Sequence, residues 1–164
     1  GTAVKVAFTL AAALDPAAPE AGFFTCQQHY PENFWNPAFQ RHANGATGVA
    51  GIVAVAEEPA HHREFMQRFA GAAAETENDG FAIKTPRGMI EVVTPAAFLH
   101  RYGVKAPDVS RGARLAAIRF TVADASLLQS APELAGIAGL YEGNAAIVGA
   151  DDAMGAVLVF EPAR

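Results

Sequence analysis

The sequence of 164 residues has one cysteine, only three lysines and no long apolar run. A single cysteine, Cys26, cannot form an intramolecular disulfide, so nothing indicates an oxidising compartment and we expect a cytoplasmic protein. No apolar stretch approaches the ~20 residues that span a bilayer, which argues against a membrane partner. The net charge of −5, without a cluster of Lys and Arg, argues against binding to nucleic acid.

Apolar residues, by contrast, are abundant. They make up 51% of the chain, enough for a packed core without crosslinks. Nine arginines against three lysines suggest a GC-rich bacterial source. The sequence contains no glycine-rich phosphate loop, no Gly-x-Ser-x-Gly elbow, no Cys-x-x-Cys pair and no His-Glu-x-x-His helix. Composition and common motifs therefore leave a globular domain without an assigned reaction.

The first 48 residues differ from the rest of the chain. Residues 4–10 and 22–28 alternate as two short strands do, and the Pro-containing segment 15–19 between them predicts a turn. Residues 29–48 have no clear periodicity, and we interpret them as a structured loop with one helical turn. We expect Cys26 to be a small core residue.

Residues 49–164 contain an internal duplication. Residues 52–59 align with residues 118–125, and residues 88–95 align with residues 155–162. In the first copy, a strand (49–56) leads to a helix beginning near Pro59, two strands (81–84 and 89–93) and a helix over 94–102 with Thr94 as its N-cap. In the second copy, a helix is predicted to begin near Asp124, with Leu127 and Leu128 facing inward. The pattern predicts two tandem β-α-β-β-β repeats, over about 49–103 and 114–162.

This order of elements resembles the vicinal-oxygen-chelate superfamily, which includes glyoxalase I, extradiol dioxygenases and the fosfomycin and bleomycin resistance proteins. The segment Phe23 to Trp35 (Phe-Phe-Thr-Cys-Gln-Gln-His, then Pro-Glu-Asn-Phe-Trp) and the later His42-Ala43-Asn44-Gly45 are similar to the "glyoxalase-like domain" proteins. The resemblance implies an α+β fold of the glyoxalase/bleomycin resistance/dihydroxybiphenyl dioxygenase type, with paired repeats, curved mixed sheets and outer helices.

Such proteins have more chain ahead of this point. The resemblance therefore implies that the chain is a C-terminal half and that residues 1–48 are the end of a preceding repeat. The opening hairpin is then expected to pair either with those missing repeats or with a second copy in a homodimer.

The resemblance also implies a divalent metal (Zn, Fe, Mn or Ni), with ligands on the first and last strands of a repeat. Gly51 and Ala117 fall at the first-strand positions and cannot ligate a metal. Glu91 falls at a last-strand position, whereas its counterpart Leu158 is apolar. His29 follows the second opening strand, at a family last-strand position. His29 and Glu91 are therefore our candidate metal ligands and catalytic residues.

Each of these two candidates also has a structural interpretation. His29 could fix the loop by hydrogen bonds, and Glu91 could pair with Lys84 or Arg87 across the hairpin. The His61-His62 pair is interpreted as solvated, because adjacent residues do not share a helix face.

Aromatic residues in the loop over 30–42 are candidates for a ligand pocket. We select Phe34, Trp35, His42 and the more distant Tyr141 as candidate ligand-binding residues. The alternatives are that the aromatic side chains bury the loop on the sheet and that His42 closes the Asn44-Gly45 turn.

Two functions follow from the sequence. The first is a glyoxalase-like protein that acts on a small organic molecule in a cup between the repeats, with lyase, isomerase or dioxygenase chemistry. The alternative is a non-catalytic binding module, similar to the resistance proteins, with a degenerate metal site.

Overall fold

A computed structural model describes residues 3–124 and 145–163, together with the backbone of residues 139–142. The helix expected near Asp124, with Leu127 and Leu128, lies outside the described residues. Within these residues, the α-helices are α1 (Pro31–Phe34), α2 (Arg63–Ala70) and α3 (Pro95–Tyr102), and short 3₁₀ turns occupy Pro37–Phe39 and Pro59–His62. The strands are β1 (Phe8–Ala13), β2 (Phe23–Gln28), β3 (Ala46–Val55), β4 (Ala74–Glu77), β5 (Gly80–Thr85), β6 (Gly88–Val93), β7 (Arg114–Val122), β8 (Gly139–Glu142), β9 (Ala145–Val148) and β10 (Val157–Pro162).

Eight of the strands form one mixed sheet in the order β4-β5-β6-β3-β7-β10-β9-β8. Strands β3 and β7 pair antiparallel at its centre, with Ile52 opposite Ile118. On either side, β3 pairs parallel with β6 and β7 pairs parallel with β10. A parallel neighbour requires a crossover connection, which α2 provides between β3 and β4. The predicted α+β fold class is therefore confirmed.

Helix α3 begins and ends where its sequence predicts. The Thr94 hydroxyl accepts a hydrogen bond from the Ala97 backbone N–H at 3.2 Å, which satisfies one of the free donors of the first turn. Pro95 occupies the first turn, where its missing N–H has no cost. Gly103 ends the helix at φ 64°, a left-handed conformation that favours glycine.

Helices α2 and α3 cover opposite faces of the sheet. Met66 of α2 packs on Ala54 and Val92, whereas Phe98 of α3 packs on Val53 and Val93. Because neighbouring strand residues point to opposite sides, these two sets define an α2 face and an α3 face. Among the described residues, no helix is long and apolar enough to cross a membrane.

The opening hairpin, formed by β1 and β2, is a separate two-stranded sheet. It docks on the α2 side through Phe23, whose ring lies 4.9 Å from that of Phe65 in an edge-to-face contact. A buried pair reinforces this docking, with His62 Nδ1 2.8 Å from Asp15 Oδ2. The interpretation of His62 as solvated is therefore wrong, since its 3₁₀ turn rotates the ring towards the hairpin.

One face of the hairpin is uncovered. Phe8, Leu10 and Phe24 share this face in the β1–β2 register, and each remains at least half exposed. Cys26, opposite Leu10, is exposed as well, so its interpretation as a core residue is wrong. What covers this face, a preceding repeat or a second copy, stays a prediction.

Candidate functional site

Glu91 is a buried carboxylate on the α3 face of the central sheet, with 8% of its surface exposed. It lies on β6, opposite Val53 of β3. Its Oε1 accepts a short hydrogen bond from Arg119 Nη1, and its Oε2 lies 3.4 Å from Arg101 Nη1. Glu91 thus pairs with two arginines from distant elements, rather than across the hairpin with Lys84 or Arg87.

Arg119 of β7 is the centre of this arrangement. In addition to Glu91, it holds Glu161 of β10 in a two-pronged contact, with Nε 3.2 Å from Oε2 and Nη2 2.6 Å from Oε1. Burial acts to lower the pKa of Arg119, but the hydrogen bonds that Arg119 donates to Glu161, together with the negative charges of Glu91 and Glu161, raise that pKa above its usual value. Arg119 is therefore a permanent cation between two carboxylates.

A second arginine extends the network towards the edge of the sheet. Arg101, in the last turn of α3, donates to Glu77 of β4 across 2.9 Å while it faces Glu91. These five residues are called the charge cluster below: Glu77, Glu91, Arg101, Arg119 and Glu161. The cluster connects α3 with strands of both halves of the sheet.

Strand alternation explains how the cluster is assembled. Arg119 lies two residues beyond Ala117, and Glu161 lies two residues beyond Val159, so each points to the α3 face. Arg119 is opposite Gly51 of β3. A Cβ at Gly51 would lie 2.6 Å from the Met89 carbonyl oxygen, so the close approach of β3 and β6 requires glycine at this position.

Sequence reasoning missed Arg119 and Glu161 because it examined only the family's expected positions. Their signal was present in the sequence as single charged residues in otherwise apolar strands, Ile-Arg-Phe and Val-Phe-Glu. A charge in such a strand is costly to bury without a partner, so one arginine and one glutamate in two apolar strands predict an ion pair between them.

The charge cluster lines a cavity of about 230 Å³ between α3 and the sheet. Its apolar wall comes from Ile147, Val159 and half-buried Ala145. Its lining residues are Glu91, Arg101, Tyr102, Arg119, Ala145, Ile147, Val159 and Glu161. Glu91 therefore faces a cavity rather than open solvent.

Tyr102 adds an unusual group to the cavity. Only 8% of this residue is exposed, but its hydroxyl, which has no protein partner within the described part of the chain, is reached by solvent from the cavity, since no fully buried side-chain N or O atom there lacks a hydrogen bond. Burial, and then the negative charge of Glu91, raise the pKa of Tyr102 to about 12. The hydroxyl therefore stays protonated and can donate to a molecule in the cavity.

These residues do not fit the divalent metal that the fold family implies. Among residues 3–124, 139–142 and 145–163, no group of three or more His, Cys, Asp or Glu could hold a metal ion. Both oxygens of Glu91 and both oxygens of Glu161 already face guanidinium groups. A metal ion there would also be repelled by Arg119 and Arg101.

The structure does not bring His29 and Glu91 together. His29 follows β2 in the hairpin, where its Nε2 lies 2.8 Å from the Thr9 hydroxyl. It is exposed and does not line the cavity that contains Glu91. In this position His29 connects the two strands of the hairpin.

Trp35 and His42 do share a groove, of about 1120 Å³ and on a different part of the surface. Trp35 is 55% exposed and donates from Nε1 to Gln28 Oε1 across 2.8 Å. The His42 carbonyl accepts from Gly45 N–H at 3.0 Å, so this segment forms the predicted turn as well.

Phe34 and Tyr141 are the remaining predicted ligand-binding residues. Phe34 is half-buried in α1 and is not among the residues that line the groove. Tyr141 lies on β8, opposite Ala146 of β9. Its side chain is outside the described part of the structure, so its predicted binding role stays a prediction.

Comparison with proteins of known structure identifies the fold. No protein-family model matches the chain, and no curated protein matches it significantly. The structure of methylmalonyl-CoA epimerase from Mycobacterium tuberculosis is similar, with a TM-score of 0.55 and 17% identity over 76% of this chain and 93% of that one. A second methylmalonyl-CoA epimerase structure has a TM-score of 0.51 and 10% identity, over 75% of this chain and 100% of that one. The predicted glyoxalase-type fold is thereby confirmed.

Proposed function

We propose that this protein binds a small organic molecule in the charge-cluster cavity and that it does so without a resident metal ion. The observation that carries this proposal is the position of Arg119, held between Glu91 and Glu161 on the face that α3 covers. The guanidinium supplies a fixed positive charge beside the cavity, where the fold family would otherwise supply a metal.

The size of the cavity limits the ligand. A water molecule takes up roughly 30 Å³ in the liquid, so about 230 Å³ of space admits a molecule on the order of ten non-hydrogen atoms. Ile147 and Val159 provide an apolar wall, and Arg119 and Tyr102 provide polar groups opposite it. Small-molecule sites combine apolar walls with convergent polar groups, and in this cavity charged residues make up half of the lining residues named above.

Binding is favoured over acid–base catalysis by the state of Glu91. A general base needs a lone pair that points at the proton to be removed. Both oxygens of Glu91 are instead engaged by arginines, and His29 lies in the separate hairpin. This arrangement supports the non-catalytic interpretation of the sequence over the enzymatic one.

Two measurements test the proposal. Elemental analysis of the purified protein, before and after incubation with Zn²⁺, Mn²⁺, Ni²⁺ and Fe²⁺, should find less than a stoichiometric amount of metal. Methylmalonyl-CoA should not be epimerised, with or without these ions. Stoichiometric metal, or turnover that requires Glu91, would overturn the proposal.

Ligand binding itself is tested by ¹H–¹⁵N spectra recorded with uncharged fragments of about ten non-hydrogen atoms. We expect shifts confined to the lining residues, and we expect them to be lost in Ala145→Leu, which fills the cavity from its half-buried wall. Ala96→Leu, on the exposed side of α3, is the matched control. Equal binding by both variants would place the ligand elsewhere.

A further inference from the structure

We infer that the ligand of this cavity is an uncharged molecule with a carbonyl oxygen, and that the Tyr102 hydroxyl donates a hydrogen bond to that oxygen. This inference rests on the proposed function, since it names the chemical class that the same cavity accepts. It follows from three properties of the lining: its charge balance, its spare donors and its unpartnered hydroxyl.

The charges that line the cavity are balanced. Glu91 and Glu161 oppose Arg101 and Arg119, and Glu77 reaches the network only through Arg101. A charged ligand would bring in a charge that no lining group is left to neutralise, because each carboxylate and guanidinium there already has a partner of opposite sign. A neutral ligand brings no such charge, so both carboxylate and ammonium ligands are disfavoured.

The spare hydrogen-bonding capacity favours an acceptor. A guanidinium carries five N–H donors, and Arg119 uses three of them on Glu91 and Glu161. Arg101 likewise uses two of its five. A ligand carbonyl accepts hydrogen bonds without donating any, so it can use these remaining donors and leave the ion pairs intact.

Tyr102 indicates where such an oxygen would lie. Its ring is largely buried, whereas its hydroxyl is reached by solvent from the cavity and has no protein hydrogen-bond partner in the described part of the chain. A ligand acceptor there uses a donor that no protein group occupies. The ring is fixed by Phe98, whose centroid is 5.0 Å away, so the hydroxyl is held at one position.

The test uses three probes of similar shape: cyclohexanone, cyclohexylammonium and cyclohexanecarboxylate. Affinities are measured from the side-chain Nε–H signal of Arg119 and the backbone signals of the lining residues. We expect cyclohexanone to bind about tenfold or more tightly than either charged probe. The ¹³C signal of its carbonyl should move downfield as the protein is added, because that carbon is deshielded when its oxygen accepts a hydrogen bond.

The variant Tyr102→Phe should weaken cyclohexanone binding roughly fivefold and remove the downfield ¹³C shift. It keeps the ring against Phe98, so loss of packing cannot account for the change. Tyr30→Phe is the matched control, because Tyr30 lies in the hairpin region under the Lys5 ammonium, outside the cavity.

The outcomes separate the two proposals. If Tyr102→Phe binds cyclohexanone as the unmodified protein does, or if a charged probe binds more tightly, the inference is wrong although the cavity remains a binding site. If none of the three probes moves the lining signals, both the inference and the proposed function are wrong.

Discussion

Replacing Arg119 with methionine tests the central claim that this residue is a buried cation compensated from both sides. Methionine keeps most of the side-chain volume and removes the charge and all five donors. Glu91 and Glu161 are left without their main partner, with only 11% and 14% of their side chains exposed. Arg101, at 3.4 Å, compensates Glu91 only in part.

The magnitude follows from burial. Breaking a buried ion pair by removing one partner costs about 3–5 kcal/mol, because an uncompensated charge stays in the interior. For a chain of this size, that loss lowers the midpoint of thermal unfolding by roughly 6–20 °C.

Urea unfolding followed by circular dichroism measures the effect, with the slope of the transition checked for constancy. The control is Arg68→Met, which breaks an exposed pair with Glu64 in which both side chains are more than three-quarters exposed. This control should lose less than about 0.5 kcal/mol. The triple replacement Glu91→Leu, Arg119→Met, Glu161→Leu should recover most of the stability, since an apolar core carries no buried charge.

The reasoning is refuted if Arg119→Met costs no more than the surface control, because the cluster would then be effectively hydrated. It is also refuted if the triple replacement recovers none of the lost stability, since unpaired carboxylates could not then be its source.

Three further predictions concern other groups. The pKa of Tyr102 is higher in the folded protein than in the unfolded chain, so its contribution to stability is fully present below pH 10 and is lost as the pH rises through about 12. Urea unfolding should show a loss of about 2–3 kcal/mol over that range. The variant Tyr102→Phe should not show this loss. Thr94→Ala should cost about 1 kcal/mol in the same assay because Ala97 N–H loses its partner, whereas Thr94→Ser should not. His29→Ala should cost less than about 1 kcal/mol, since it removes one exposed hydrogen bond with Thr9, and spectra with cyclohexanone should show unchanged cavity binding.

Other results would contradict these three predictions. Equal pH profiles for the unmodified protein and Tyr102→Phe would mean that folding does not raise the pKa of the hydroxyl. Equal losses in Thr94→Ala and Thr94→Ser would exclude capping as the source. Loss of cavity binding in His29→Ala would support the sequence prediction that His29 and Glu91 belong to one site.

Local patterns in the sequence were sufficient for the helices and most strands. The Thr94-Pro95 start and Gly103 end of α3 follow from backbone chemistry within a single turn, and they are found as predicted. Strand β4 was missed as a separate element because Ala-Glu-Thr-Glu has little apolar character on either face. Strand β1 begins at Phe8, several residues later than the alternation suggested, since pairing with β2 decides its extent.

The site depended on contacts that sequence spacing does not contain. A carboxylate in an apolar strand marks Glu91 as an unusual residue in the sequence, and the structure places it at a cavity, while its predicted metal-binding and catalytic roles stay predictions. Its partners come from β7, β10 and α3, and only the sheet order brings those elements together. The metal-ligand positions that the resemblance implies include Ala117 and Leu158, and they give no signal for the guanidinium at position 119.

The two halves of the sheet have the same arrangement of strands, counted outwards from the central Ile52–Ile118 pair. The charged residues do not follow this symmetry. Arg119 follows Ile118 on β7, and the equivalent residue after Ile52 on β3 is the apolar Val53. Val53 is fully buried, so a molecule in the cavity meets the charges of Arg119 and its partners together with the hydrocarbon surface of Ile147 and Val159. Such a cavity is handed, so it distinguishes the two faces of a planar carbonyl group, and chiral ligands should bind with a preference for one enantiomer.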